Sequence, residues 1–544
     1  MTFRNFQRSY ALAGLACAWL ACGSVHAGII STGSVEPSLS GAGSLELGGG
    51  TRVAVRVAYS TVPSAPARTG ALRAEGGSTL RSSTATNSEL HVGTGIGNRG
   101  SVDITGAGSL ALASEGNAAL FGNLGGVGQL TIDGPGSSFS LRGACSSRCG
   151  TIGLVTDAAT STVSSVTYGI SSLALGAVNA TGTATVSAGA QLTLDSGTGG
   201  TALNSVSVLS IGVTVDGYPL GLIGYSAIAG APSAGVLNVR GAGTRVDITG
   251  DKAELNIAQL IEPAAGLPRE VRDEVVTGAL NVSDGAQVTL SSPHGHARSI
   301  VTNSTGTSAT INIQGEGSRF DAGQLFVAGY RVLQPAGGTL AGGVVQPESA
   351  GNGRITLDAG GVLRADTIRL GRDFLVTGDG GVLEGNVENA GTISSGHSPG
   401  VLNVLGDLAL LPSSRLVFEI GGTTAGDQYD VLNVTGAFSL GGALEIVYLG
   451  GFVPAEDDVF KLFDAGSFLG QFDQIILPAG ETRSFNLASG SFFASVPVMG
   501  VPAPTGLLLL GPALLALLLR DIASRLLGQA AISGHLPAAA DCRG

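Results

Sequence analysis

Apolar residues alternate with small or polar ones in short runs along most of this chain, and glycines separate the runs. The stretch Gly235–Ala258, GVLNVRGAGTRVDITGDKAELNIA, shows the unit: three alternating runs joined at glycine turns. Alternation sends every second side chain to one face of a strand. Runs of this length match strands, and glycine supplies the positive φ that a sharp corner needs. Two pieces recur. The first is a strand, a glycine turn and a second strand, as in Ser101–Leu112, Gln129–Leu141, Ala184–Leu194, Ala279–Leu290, Thr310–Phe320 and Arg354–Ala365. The second is a short apolar run ending in glycine or alanine: LHVG at Leu90, LALG at Leu173, LSIG at Leu209, LNIA at Leu255, LFVAG at Leu325 and IRLG at Ile368.

One such coil cannot bury its apolar side. Stacked coils give parallel strands about 4.8 Å apart around a continuous interior. The pattern therefore predicts an all-β chain, a right-handed parallel β-helix (β-solenoid) over residues 28–400. Helical periodicity is nearly absent; Glu262–Val276 is the one charged stretch suited to a short helix, placed in a loop. Val155–Ser171 and Gly212–Ala231 read as insertions. Asparagine recurs between two apolar residues at Asn238, Asn256, Asn281, Asn312, Asn403 and Asn433. Such residues form side-chain ladders if the coils align them, or stand as separate solvated positions if not. From about Gly381 the texture changes, and phenylalanine clusters between Phe418 and Phe493. A solenoid needs a closed end to protect its edge, so residues 401–498 are expected to form an aromatic-rich C-terminal β cap.

Composition narrows the partners. There are 88 glycines, a net charge of −12 and only two lysines, Lys252 and Lys461. A chain so poor in cations is unsuited to nucleic acid, whose phosphates must be neutralised. Among the five cysteines, Cys145 and Cys149 are the only internal pair. In an exported chain they read as a local disulfide, with free thiols or half of a zinc site as the alternatives.

The two ends carry an address. Met1–Ala27 has a positive start at Arg4 and Arg8, an apolar core Ala11–Cys22, and Val25-His26-Ala27 before Gly28. These are the parts of a secretory signal cleaved between Ala27 and Gly28, so the export machinery is an expected partner. Near the other end stands VPAPTGLLLLGPALLALLLR, Val501–Arg520. A helix over Thr505–Leu519 would span roughly 22 Å, short of a hydrocarbon core of about 30 Å, which makes it a marginal hydrophobic anchor.

At these residues the chain resembles proteins with the PEP-CTERM sorting signal of Gram-negative bacteria. Val501, Pro502 and Pro504 match the motif, Leu507–Leu519 the short hydrophobic helix, and Arg520 the basic stop. Ala503 stands where the family has glutamate, and residues 521–544 follow where the family usually ends. The resemblance implies an exosortase-like processing enzyme as partner. It also implies residence, at least transiently membrane-anchored, at the cell surface or in the exopolysaccharide matrix. The repeats and the region after Gly381 also resemble autotransporter-like β-solenoid passengers.

Apparent catalytic motifs read as structure. Gly396–Gly400, GHSPG, matches a nucleophile elbow at Ser398, but Pro399 lacks the N–H that the oxyanion hole requires. Gly95–Gly100 matches a dinucleotide fingerprint, but a strand follows where the motif requires a helix. His294 and His296 suggest a metal pair without a third ligand, and Gly426–Asp430 a weak calcium loop or an Asp-rich turn. No catalytic residue, metal ligand or cofactor is expected. The sequence predicts a surface-associated structural or adhesive solenoid with an exopolysaccharide or cell-surface glycan as a candidate partner. The alternatives are a polysaccharide lyase or hydrolase on the same fold, and a secreted adhesin without an anchor. The lone tryptophan, Trp19, lies in the leader, which argues against a ring-lined sugar cleft.

Overall fold

The structure is a computed structural model. It describes residues 28–493 apart from 49–51, 84–86, 115, 144–150, 157–162, 169–170, 198–204, 216–230, 262–274, 334–343, 397–398 and 487–489. Among the described residues there is strand and turn but no helix. Each coil contributes three strands, and equivalent strands of successive coils pair in parallel. The chain thus forms a β-solenoid with three faces.

The first face is a sheet of 15 strands. Its parallel ladder runs from Thr69–Glu75 through Ser233–Arg240, Val276–Ser283, Thr307–Gln314 and Asn352–Asp358 to Gln474–Ile476. It therefore continues past Gly400. The second and third faces belong to one sheet of 23 strands, because later strands such as Val362–Leu370 and Gly381–Asn389 run through the corner between them. A register shift between Arg364 and Thr367 marks that corner.

Alternation works as the sequence pattern requires. In Thr181–Ser187 and Gln191–Asp195 the buried apolar side chains are Ala184, Val186, Leu192 and Leu194, and Thr183, Thr185 and Thr193 between them face outward. One hydrophobic core runs from Ile29 to Phe492. Each buried Leu, Ile or Val contributes about 1.5–3 kcal/mol relative to exposure.

The corner between the first and second faces has two forms. Over the first described coils it is a three-residue turn twice, at 76–78 and 106–108; from there four-residue turns at 134–137, 241–244 and 315–318 alternate with three-residue turns at 188–190, 284–286 and 359–361. The four-residue turns end in Ser137, Thr244 and Ser318, all fully buried. Each hydroxyl donates back to its own strand, at Asp133 O (2.7 Å), Arg240 O (2.8 Å) and Gln314 O (2.6 Å). Each also accepts an N–H from the turn of the preceding coil, from Ala107 (3.2 Å), Gly189 (2.9 Å) and Gly285 (2.9 Å). Such a bond contributes about 0.5–1.5 kcal/mol net.

The second sequence piece ends at a backbone crossing. Gly176 has φ +69, and a Cβ there would lie 1.9 Å from Ala234 O of the next coil. LALG closes on glycine because nothing larger clears that carbonyl. In LNIA, Ala258 adopts the same left-handed conformation, with φ 53.

Both ends of the stack change pairing. Gly28–Gly33 pairs antiparallel with Thr69–Glu75, and Val35–Glu36 pairs antiparallel with Arg52–Tyr59. At the other end Val459–Lys461, Ser484–Asn486 and Ser491–Phe493 form a small antiparallel sheet. Phe463 begins the adjoining strand Phe463–Gly470. Its ring lies 5.4 Å from Phe438, 5.7 Å from Phe468, 6.0 Å from Phe418 and 6.2 Å from Phe472. The insertion over Val155–Ser171 includes part of a hairpin, Thr151–Thr156 with Val163–Tyr168. A second hairpin joins Tyr330–Leu333 to Val344–Ser349.

Candidate binding face

Ala27, Cys145, Cys149, Ser398, Val501, Pro502, Pro504 and Arg520 lie outside the described residues, as do the short hydrophobic C-terminal helix and most of Glu262–Val276. Gly28 opens the first strand, and its carbonyl accepts a hydrogen bond from Ser78 Oγ at 2.9 Å.

The remaining motifs resolve into corners and ties. Around Gly95–Gly100, Asn98 turns its amide back on the chain, donating to Thr94 O and accepting the Arg68 N–H. His294 sits on the corner between the second and third faces, where Nε2 lies 3.3 Å from Oδ1 of buried Asp251. His294 therefore has a carboxylate partner; among the described residues, no cluster of three His, Cys, Asp or Glu is arranged to hold a metal ion. In Gly426–Asp430 the last carboxylate is fully buried and receives the backbone N–H groups of Gly400 (2.9 Å) and Glu419 (2.8 Å). Burial pushes its pKa up to about 6, with Glu419 and Asp379 adding to the rise and the two N–H groups opposing it. Asp430 ties two coils together.

The asparagines divide by register. Asn238, Asn281 and Asn312 stand directly above one another on the first face. Asn281 Nδ2 donates to Asn238 Oδ1 at 2.8 Å, and Asn312 Nδ2 donates to Asn281 Oδ1 at 2.7 Å. A second ladder joins Asn433 Nδ2 to Asn403 Oδ1 at 3.0 Å on the second face. Asn256 falls on the third face and is buried.

Ion pairs cross coils on the second and third faces, and on the first face toward its ends, at Arg73–Asp103 and Arg415–Glu445. Arg319 makes a bidentate pair with Glu384 at 2.8 and 3.1 Å, skipping the coil between them. Arg364 bridges Asp321 (3.1 Å) and Asp366 (2.6 Å), and Arg369 pairs with Glu388 (2.8 Å). On the third face Glu254 and Arg298 are paired at 2.8 Å and largely buried beside Lys252, whose pKa burial lowers. These arginines are consumed by carboxylates across coils, as cross-strand neighbours of opposite charge should be.

The middle of the first face is different. Its central outward row is charged at Arg73 and Asp103 and then reads Thr131, Thr185, Asn238, Asn281, Asn312 and Thr356, all uncharged. Where the asparagine ladder ends, a shallow groove of about 510 Å³ crosses three coils. Asn281, Ser283, Asn312, Gln314, Arg354, Thr356 and Asp358 supply its polar side chains. The sequence reading identified the two asparagines. It missed Arg354 and Gln314, which carry no local signal and enter the groove only through register.

No family model and no curated protein matches the chain. Among solved structures, a chain described as a TibC-catalyzed hyper-glycosylated TibA fragment is similar, at 12% identity and a TM-score of 0.19. The match covers 80% of this chain and 96% of that one.

Proposed function

We propose that this protein is an exported β-solenoid that serves at the cell surface as a structural or adhesive element. In this reading the leader Met1–Ala27 directs export, and Val501–Arg520 is a PEP-CTERM-like signal read by an exosortase-like enzyme. The observation that carries the proposal is the first face: a parallel ladder from Thr69–Glu75 to Gln474–Ile476, bordered from 76 to 361 on the side of the second face by three- and four-residue corners. Such a face offers a long contact surface rather than one enclosed reaction site. The biofilm or exopolysaccharide matrix is the setting that the sorting-signal resemblance implies.

The test is cell fractionation of the full chain beside a variant lacking residues 501–520. Loss of the protein from the envelope fraction, with release into the medium, supports sorting through that segment. An unchanged distribution overturns it. Release of the full chain itself with its C-terminus intact establishes the unanchored adhesin instead.

A further inference from the structure

We propose that the groove at the end of the asparagine ladder is a binding site for an uncharged polysaccharide strand lying across the coils. The inference rests on the adhesive reading and gives it a place and a ligand class.

The ladder is directional: each asparagine donates to the one before it, so Asn312 Oδ1 is the open acceptor at its end. The next residue in that row is Thr356, and its hydroxyl makes no hydrogen bond among the described residues. Gln314 and Arg354 are exposed, and neither side chain has a hydrogen-bond or ion-pair partner among the described residues. Arg319, Arg364 and Arg369, in the same coils or the next, each have a carboxylate. Arg354 is thus a guanidinium without a structural task, held on a rigid strand whose flanking residues Gly353 and Ile355 belong to the ladder.

The chemistry selects hydroxyl groups. Amide, guanidinium and hydroxyl side chains present paired donors and acceptors, and vicinal sugar hydroxyls match such pairs. The groove carries one cation, Arg354, and one carboxylate, Asp358, whose charges offset each other. With a chain charge of −12, that balance disfavours a polyanion. Val282 and Ile313 point into the core, so the groove offers no apolar anchor of the kind protein interfaces need. Spacing adds the last element. Polar groups recur at the strand separation of about 4.8 Å, close to the advance of one sugar along an extended polysaccharide. Without a ring to stack on the sugar, each contact is weak, and affinity comes from several coils acting together.

The experiment is affinity electrophoresis of the full chain in gels containing laminarin, galactomannan or alginate. Variants Arg354→Ala and Gln314→Ala are compared with Thr183→Ala, which lies on the same face outside the groove. Thermal melts of each variant report folding. Retardation by laminarin or galactomannan, weakened about tenfold in both groove variants with unchanged melting and retained in Thr183→Ala, supports the proposal. Equal loss in Thr183→Ala overturns a local site. Undiminished binding in Arg354→Ala and Gln314→Ala overturns the groove. Retardation by alginate alone, abolished by salt, overturns the uncharged ligand. No retardation by any of the three overturns the site while leaving the fractionation result intact. Sedimentation tests the remaining occupant: an oligomer dispersed by Arg354→Ala, without sugar binding, assigns the groove to a second copy of the chain.

Discussion

Between Ser171–Ala177 and Asn352–Asp358, corners and crossings meet largely through backbone and small side chains; beyond Arg415–Ile420 neighbouring elements meet through aromatic rings. At Gly176 a carbonyl of the next coil occupies the space where a side chain would begin. At Phe463 four other rings fill the space around one side chain. The first region is intolerant of added atoms and the second of removed ones. A parallel stack can repeat only if each layer is thin enough to admit the next, so most of its crossings are glycine, with Ala58, Ala258 and Thr302 in the same left-handed conformation at the others. The end of the stack has no next layer, and bulk there becomes an asset.

Three measurements test this contrast. The largest effect is expected from Gly176→Val. A β-branched residue at φ +69 must displace Ala234 O and the strand that carries it, costing more than about 4 kcal/mol. Urea unfolding followed by far-ultraviolet circular dichroism should show a large loss of midpoint. A midpoint near wild type would mean that the crossing is softer than its geometry. Phe463→Ala should cost about 3–5 kcal/mol through the cavity it leaves. Phe463→Leu should recover most of that loss; equal destabilisation by both would mean that ring contacts, rather than volume, hold the end together.

The smallest effect depends on pH. The carboxyl of Asp430 has an ordinary value of 3.8, raised to about 6 in the folded chain. A raised folded pKa gives stability that is fully present below 3.8 and lost as pH rises through about 6. The shift corresponds to roughly 3 kcal/mol at most. Wild type should therefore lose stability relative to Asp430→Asn between pH 5 and pH 7, each value being about one unit from the folded pKa. A difference in melting temperature that stays constant over that interval would show that the carboxyl titrates elsewhere.

Much of the body is legible in the sequence because its rules are local. Alternation assigns the inward residues of Gln191–Asp195 without knowledge of a neighbour, and GAG or GEGS announces a corner. The identity of the last residue in LALG is also visible, but its reason lies 58 residues away at Ala234. The ladder could not be assigned from sequence because insertions make the spacing irregular. Asn238 and Asn281 are 43 positions apart, whereas Asn281 and Asn312 are 31 apart, yet they stack directly. Asn256 has the same apolar flanks and falls on another face. Ser137, Thr244 and Ser318 were illegible for a similar reason. A serine after a glycine turn is unremarkable until its hydroxyl is seen to accept an N–H from the coil before it. Among the described residues Arg354 lacks a carboxylate partner, as Arg99 and Arg240 do on the same face, and only register brings it beside Asn312 and Gln314.

The alternation of three- and four-residue corners has a consequence for how such a chain could lengthen. Each buried hydroxyl serves its own strand and the shorter turn of the preceding coil, so the structural period over this region is two coils. Duplication of one coil would place two like corners side by side; where two short turns already meet, at 76–78 and 106–108, the Gly77 N–H donates to Gly106 O in place of a hydroxyl. Duplication of two would reproduce both partners. Between the corners at 106–108 and 359–361, gain or loss of coils in pairs would therefore keep every such hydroxyl with its partner.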